Sequence, residues 1–409
     1  MVNAGSLVRD TFYSPLLEED RQVNVILPDG YNSLDIEKRY PTVYFLHGGG
    51  TGHDGYTEIE NAVNQLISQG DISDIIIVKP YGGAYSYWAN SPFFGQIEDF
   101  VISDLIAYID STYHTISNRD ARFIMGHSMG GHCIRIMLKH PEKFRAAAAH
   151  NGNIHLRKFL DIIIPQVLIE NNSMGPYDPR AGDWTNALYL ASLAFSPNAD
   201  NPLTTVDYPI NNKGKIDEAV VNRWMENDPA TQASQYSSGF PVDVYFDSGT
   251  SDIWHPLSVE FEKIIRLTEI PYVYSYHLGD HTTNLQTRFS FSLAFFDSLL
   301  NVSTSSVNDN LSSGTLPDVI SIRQNFPNPF NPATEIRFDV FNTRWVRVDI
   351  YDLNGKIINE LMSQVCQPGT YRIIWNGRNS KDQQIPSGVY FYNVQCGTVI
   401  KTGKMILLR

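Results

Sequence analysis

Cysteine is scarce in this chain: Cys133, Cys366 and Cys396 are the only three among 409 residues. That is too few for a disulfide scaffold. Cys133 stands on an apolar helical stretch, where a thiol packs as a small buried hydrophobe. Basic residues are outnumbered, 31 Lys and Arg against 44 Asp and Glu, for a net charge of −13. Such a balance argues against nucleic acid as a partner, which calls for a basic footprint. No run approaches the ~18 apolar residues of a membrane span. The opening Met1-Val2-Asn3-Ala4-Gly5-Ser6 has neither the basic nor the apolar region of a signal peptide. The expectation is a cytoplasmic chain, or an exported one already trimmed. His-Glu-x-x-His and paired-Cys spacings are missing, and no Gly-rich loop is followed by Lys-Ser/Thr. The reading therefore includes no metal and no cofactor.

What is present describes a globular chain, with 42% hydrophobic and 18% charged residues. Its length exceeds what one core usually serves, so two domains are expected. Charge divides the same way. Residues 1–318 hold 20 basic and 38 acidic side chains, and residues 319–409 hold 11 and 6. Over residues 1–300, short apolar runs (Arg21–Leu27, Tyr40–Leu46, Ile75–Val78, Arg122–Met125, Ala146–Ala149, Pro241–Phe246, Tyr272–His277) alternate with helical patterns. That rhythm predicts an α/β fold, a mostly parallel sheet with helices on both faces. Residues of about 150–235 interrupt it with Asn, Pro, Asp and aromatic islands, and are read as a lid insertion. Residues 301–318 are rich in Ser, Thr, Asn and Gly and read as a linker. Residues 319–409 show short strands punctuated by Gly turns, the pattern of a small all-β sandwich.

The chemistry centres on Gly126-His127-Ser128-Met129-Gly130, where an apolar run turns directly into a helical pattern. Gly-x-Ser-x-Gly in strand-turn-helix context is a nucleophile elbow. A serine hydroxyl needs an adjacent base, usually a histidine oriented by a carboxylate. On this fold the acid and the base come later in the chain, each after its own strand. Asp252 follows the Pro241–Phe246 run and is assigned the acid, with Asp247 at the strand end as its rival. His281 follows Tyr272–His277 and is assigned the base. His277 belongs to the strand, and His255 lies too close to Asp252. The oxyanion needs backbone donors. Met129 supplies one and Gly49 of His47-Gly48-Gly49-Gly50 the other, with Gly48 as runner-up. Tyr85, Tyr87 and Trp88 fall on the same rim. With Trp184 and Trp224 of the insertion they are candidate substrate-binding residues, rings suited to a flat acyl or sugar group.

Several stretches together resemble the esterase D and feruloyl esterase group of α/β-hydrolases, similar to carbohydrate esterase family 1. They are Val25-Ile26-Leu27-Pro28-Asp29-Gly30-Tyr31, Tyr44-Phe45-Leu46-His47-Gly48-Gly49-Gly50, Gly126-His127-Ser128-Met129-Gly130-Gly131, Asp247-Ser248-Gly249-Thr250-Ser251-Asp252 and Gly279-Asp280-His281. The resemblance covers most of residues 10–300 and implies an α/β-hydrolase fold with Ser128, Asp252 and His281 as nucleophile, acid and base. It implies ester hydrolysis, with feruloyl or acetyl esters of plant polysaccharide as the expected substrates. The Trp that often follows the base in feruloyl esterases is not found in Asp280-His281-Thr282-Thr283. Polyesters, short-chain esters and thioesters, acyl transfer and peptide cleavage are alternatives on the same residues. A non-catalytic surface-binding protein is the alternative of another class. The tail carries Asn325-Phe326-Pro327-Asn328-Pro329-Phe330-Asn331-Pro332-Ala333-Thr334, Ile350-Tyr351-Asp352-Leu353-Asn354-Gly355 and Ser387-Gly388-Val389-Tyr390-Phe391. It resembles the C-terminal sorting domain of type IX secretion. That implies export to the cell surface or medium, the secretion machinery as partner, and removal of an N-terminal signal.

Overall fold

The computed structural model describes residues 5–175, 177–201, 204–305, 320–340, 344–353, 356–367, 369–396 and 399–409. The chain divides into two units, Met1–Ser290 and Phe291–Arg409. The division falls inside the helix Leu285–Ser305. This helix runs into the segment read as a linker, whose remainder lies outside the described residues.

The first unit is built on eight strands: β1 (Ser6–Ser14), β2 (Glu19–Leu27), β3 (Thr42–Leu46), β4 (Ile76–Pro80), β5 (Arg122–His127), β6 (Ala146–His150), β7 (Asp243–Gly249) and β8 (Tyr272–His277). Their order is β1-β2-β4-β3-β5-β6-β7-β8. The pairs β1–β2 and β2–β4 are antiparallel, and every other pair is parallel. Strands β3 to β7 are buried at every residue. Burial of both faces explains why they read as unbroken apolar runs rather than alternating ones. The sequence reading did not include β1. It is an edge strand, half exposed along most of its length. Its apolar residues fall in adjacent pairs, Leu7-Val8 and Phe12-Tyr13, so no period-2 pattern marks it.

Among its described residues the insertion forms four helices, Leu156–Glu170, Asp183–Phe195, Glu218–Met225 and Pro229–Gln235. Trp224 is fully buried there, its Nε1–H donating to Ser196 Oγ at 2.8 Å and its ring 5.2 Å from Phe195. It is a core residue of the insertion, which corrects its assignment to substrate binding. No helix among the described residues is long and apolar enough to cross a membrane.

The second unit has seven further strands: β9 (Ile320–Phe326), β10 (Thr334–Val340), β11 (Arg344–Tyr351), β12 (Ile357–Cys366), β13 (Gly369–Trp375), β14 (Gly388–Cys396) and β15 (Val399–Leu407). They form two antiparallel sheets, β9-β10-β13 and β12-β11-β14-β15. Burial alternates along β10 and β14, as in a sandwich with one wet face per sheet. Phe338, Val348, Trp375, Tyr392 and Leu407 fill the space between them.

In the first unit, the turn after β5 is packed backbone against backbone. A Cβ on Gly130 would land on the Leu46 carbonyl of β3, and one on Gly126 would land on the Gly130 carbonyl. Backbone cannot yield as a flexible side chain can. Gly130→Ala is therefore expected to cost about 3 kcal/mol or more in urea unfolding, at the upper end of overpacking penalties. A loss below about 0.5 kcal/mol, the scale of a neutral surface change, would contradict this packing.

Candidate active site

Ser128 lies where β5 ends and a 3-10 turn, Ser128–His132, leads into the helix Cys133–Lys139. Its φ is 56°, in the left-handed region. A non-glycine residue held there stores strain, sustained only when packing over-determines the backbone. Here the close approach at Gly126 and Gly130 does so. The Asn153 N–H also donates to the Ser128 carbonyl at 3.0 Å.

The loop after β7 carries Asp252 and the loop after β8 carries His281. His281 Nδ1 and Asp252 Oδ2 are 2.7 Å apart, with the carboxylate side chain only 2% exposed. A donor at Nδ1 leaves Nε2 as the basic nitrogen. Burial raises the Asp252 pKa, but the His281 hydrogen bond and charge, the Asn151 amide and the Trp254 backbone N–H outweigh it. The carboxyl ends below its ordinary value. The His281 ring stands 4.6 Å from that of His127, the residue before the nucleophile. Ser128 Oγ makes no hydrogen bond among the described residues, so the Asp252–His281 pair is formed and a His281–Ser128 hydrogen bond is not. Such contacts are often long in free enzymes and tighten around substrate.

Asp247, the rival acid, is engaged elsewhere. Within β7 it is bound by His150 Nδ1 at 2.7 Å and by the Arg288 guanidinium, with Nε at 3.0 Å. Burial works against its ionisation, and the Arg288 and His150 partners hold its pKa well below the carboxylate range. Arg288 also donates to Asn151 Oδ1, and Asn151 Nδ2 donates to Asp252 Oδ2. The rival acid thus supports the acid through two intermediaries. His255 is bound to Ser248 Oγ at 2.8 Å and opens the helix His255–Ile265.

Backbone donors in the glycine loop can be told apart by their partners. Gly48 N–H donates to Tyr56 OH at 3.1 Å, and Gly50 N–H donates to the Ala84 carbonyl at 2.8 Å. Gly49 N–H makes no hydrogen bond among the described residues. Its N–H is thus unengaged, whereas that of Gly48, the runner-up, is taken by Tyr56. The Gly48 carbonyl accepts from Thr51 Oγ1 at 2.8 Å and lies 2.9 Å from His47 Nδ1. His47 Nε2 accepts from Gly82 N–H at 3.2 Å, which assigns the His47 proton to Nδ1. Burial brings the His47 pKa down to about 4.

Tyr56 ties this loop to the base. Its hydroxyl accepts from Gly48, so its own proton goes to His127 Nδ1 at 3.0 Å. His127 Nε2–H is then the donor to the His281 carbonyl at 2.9 Å. Burial, then the neighbouring His281, brings the His127 pKa down to about 3 and keeps the ring neutral. One partly buried chain of hydrogen bonds therefore runs from the glycine loop through Tyr56 and His127 to the backbone of His281.

A family model described as "Putative esterase" matches residues 14–288, more than half of the chain. The chain belongs to that family. A second model, the secretion system C-terminal sorting domain, matches residues 324–408. Among curated relatives, an esterase of Mycobacterium tuberculosis is 32% identical over 190 residues, 45% of this chain and 40% of that protein. An endo-1,4-beta-xylanase/feruloyl esterase of Xylanibacter ruminicola is 30% identical over 152 residues, 35% of this chain and 21% of that protein. The matched region is thus less than half the length of these relatives. Among solved structures, a ferulic acid esterase aligns with TM-score 0.53 and 20% identity, over 73% of this chain and 100% of its own. S-formylglutathione hydrolase from Staphylococcus aureus aligns with TM-score 0.50 and 18% identity, over 71% and 98%. These likenesses show the α/β-hydrolase fold.

In this esterase-family unit Ser128 opens onto a cleft of about 300 Å³. Gly49, Met129, Tyr85 and Tyr87 line it, together with Asn153, Phe159, Trp254 and one face of the helix Asp183–Phe195. Two aromatic assignments are corrected. Trp88 is fully buried, its Nε1–H donating to the His47 carbonyl at 3.1 Å, so it props the glycine loop. Trp184 packs edge-on to Trp254 with ring centres 6.1 Å apart, and it does not line the cleft. Asn151, Arg288 and Tyr56 were missed. Asn151 carried one usable signal: it directly follows a strand, and the assigned acid and base lie in loops after strands too.

Two outcomes follow from the hydrogen-bond pattern. Tyr56→Phe is expected to lower kcat about tenfold with KM within about twofold, because it frees Gly48 and His127 without touching substrate; steady-state kinetics with unchanged kcat would refute the tie. The Asp252 carboxyl is depressed in the folded chain. Its stabilising contribution is therefore present above the ordinary carboxylate value and is lost as pH falls through the lower folded value. Asp252→Asn should flatten the acid limb of a melting-temperature profile as pH falls below the ordinary carboxylate value. Parallel acid limbs in the two proteins would show that the carboxylate is not stabilised by its partners.

Proposed function

We propose that this chain is a secreted serine esterase. It hydrolyses carboxylic esters, feruloyl or acetyl esters of plant polysaccharide, through an acyl-enzyme. The observation that carries the reading is the Asp252–His281 bond of 2.7 Å, set beside a strained Ser128 at the mouth of the cleft. His281 Nε2 takes the Ser128 proton as Oγ adds to the ester carbonyl. Gly49 and Met129 N–H groups receive the developing oxyanion, each donor worth about 3–4 kcal/mol in comparable sites. Collapse of the tetrahedral intermediate expels the alcohol, which collects the proton from His281. Water then attacks the acyl-enzyme by the same route. Asp252 keeps the ring in the tautomer that can accept and return that proton.

The substrate class rests on the aromatic cleft walls and on the relative that carries feruloyl esterase in its name. Export rests on the sorting-domain match at residues 324–408. An extracellular enzyme would meet polymer-bound esters rather than metabolites.

Ser128→Ala is expected to reduce hydrolysis of a nitrophenyl acetate at least ~10³-fold while the far-UV spectrum stays unchanged. A folded parent protein with no activity on any short-chain ester would instead favour an idle surface-binding protein.

A further inference from the structure

The cleft contains a polar group that the hydrolytic steps do not use. Asn153 is 9% exposed, and its Oδ1 is buried with no hydrogen-bond partner. Its backbone N–H is fixed to the Ser128 carbonyl at 3.0 Å, so the side chain is held next to the reacting ester. A buried amide oxygen left unpaired is costly, and native structures keep one only where something else satisfies it. Asn153 lines the cleft.

Asp183, Asn186, Ala187 and Leu190 also line it, at the i, i+3, i+4, i+7 spacing of one helix face. The side chains of Asp183 and Asn186 are exposed and make no hydrogen bond among the described residues. The cleft also takes in the stacked pair of Phe159 and Trp254, with ring centres 5.2 Å apart and planes 29° apart. A flat apolar surface combined with unpaired amides suits a ring that bears hydroxyls. The Asp183 carboxylate disfavours an anionic ring substituent, and the overall charge of −13 points the same way.

We propose that Asn153, with Asn186 and Asp183 nearer solvent, forms a subsite of the cleft that recognises a ring hydroxyl of the substrate. The proposal rests on the serine-esterase reading and adds a specificity-determining residue to it. The hydroxyl can belong to a phenolic acyl group or to the alcohol of a sugar ring. Both offer an O–H donor and two acceptor lone pairs to an amide.

The test compares kcat/KM for two pairs of esters that differ in one hydroxyl. Methyl 4-hydroxycinnamate against methyl cinnamate probes the acyl side. The acetate of trans-1,2-cyclohexanediol against cyclohexyl acetate probes the alcohol side. In the full-length wild-type protein, one pair is expected to favour the hydroxylated member about tenfold, the value of one buried hydrogen bond. That pair names the source of the hydroxyl. Asn153→Ala should bring the ratio near one. Asn186→Ala changes an exposed residue that cannot unfold the core, and it should lower the ratio by about threefold, a weaker, solvent-shared bond. Wild-type ratios near one in both pairs overturn the subsite, as does a ratio unchanged in folded Asn153→Ala. Should Asn153→Ala fail to fold, an unchanged ratio in Asn186→Ala overturns it. Hydrolysis of all four esters without discrimination removes the subsite and leaves the esterase reading standing. Hydrolysis of none removes both.

Discussion

The Asp252 carboxylate is nearly out of water, and three donors face it: the imidazole of His281, the amide of Asn151 and the backbone N–H of Trp254. A buried charge persists only where hydrogen bonds replace its hydration. Meeting that condition fixes the loop after β7, sets the tautomer of His281 and leaves its second nitrogen as a base. Asn151 is held in turn by Arg288, and Arg288 by the buried Asp247 and its partner His150. The arrangement behind His281 is thus a chain of satisfied charges anchored on β6 and β7, beside the edge strand β8. Removing any one member would leave a buried polar group unpaired.

A second constraint comes from the glycines. Gly126 and Gly130 let the helix after Ser128 approach β3 closely enough that the nucleophile and the glycine loop share one rim. Tyr56 and the Ala84 carbonyl then take the Gly48 and Gly50 N–H groups, while Trp88 and His47 hold carbonyls of the same loop, so that among the described residues the Gly49 N–H is left without a partner. In the proposed mechanism, preorganisation consists of giving the neighbouring N–H donors partners and leaving Gly49 for the oxyanion. Because Tyr56 also reaches His127, and His127 the carbonyl of His281, a displacement of the glycine loop is felt at the base.

Much of this was visible in the amino-acid order because strands buried on both faces give apolar runs. Ser128, Asp252 and His281 could be assigned from the loops that follow such runs. The edge strand β1 escaped because solvent on much of its surface removes the pattern. Choosing Gly49 over Gly48 for certain requires knowing which N–H is already taken, a fact about Tyr56 rather than about glycine. The Arg288–Asn151–Asp252 chain joins residues more than a hundred positions apart, and no local period records such pairing. Trp88 and Trp224 show the opposite error. An aromatic ring near a rim has the same composition whether it faces substrate or core, and here both are enclosed.

The proposed hydrolysis depends on His281 reaching Ser128 when the site is loaded. The most direct measurement is a crystal structure of the protein phosphonylated at Ser128, which mimics the tetrahedral intermediate. His281 Nε2 is expected within about 3.2 Å of Ser128 Oγ or the leaving-group oxygen. The phosphonyl oxygen is expected about 2.7–3.1 Å from both Gly49 and Met129 N–H. An adduct whose imidazole stays bound to Asp252 but points away from the phosphonate, or a serine that resists phosphonylation in the folded protein, would refute that mechanism.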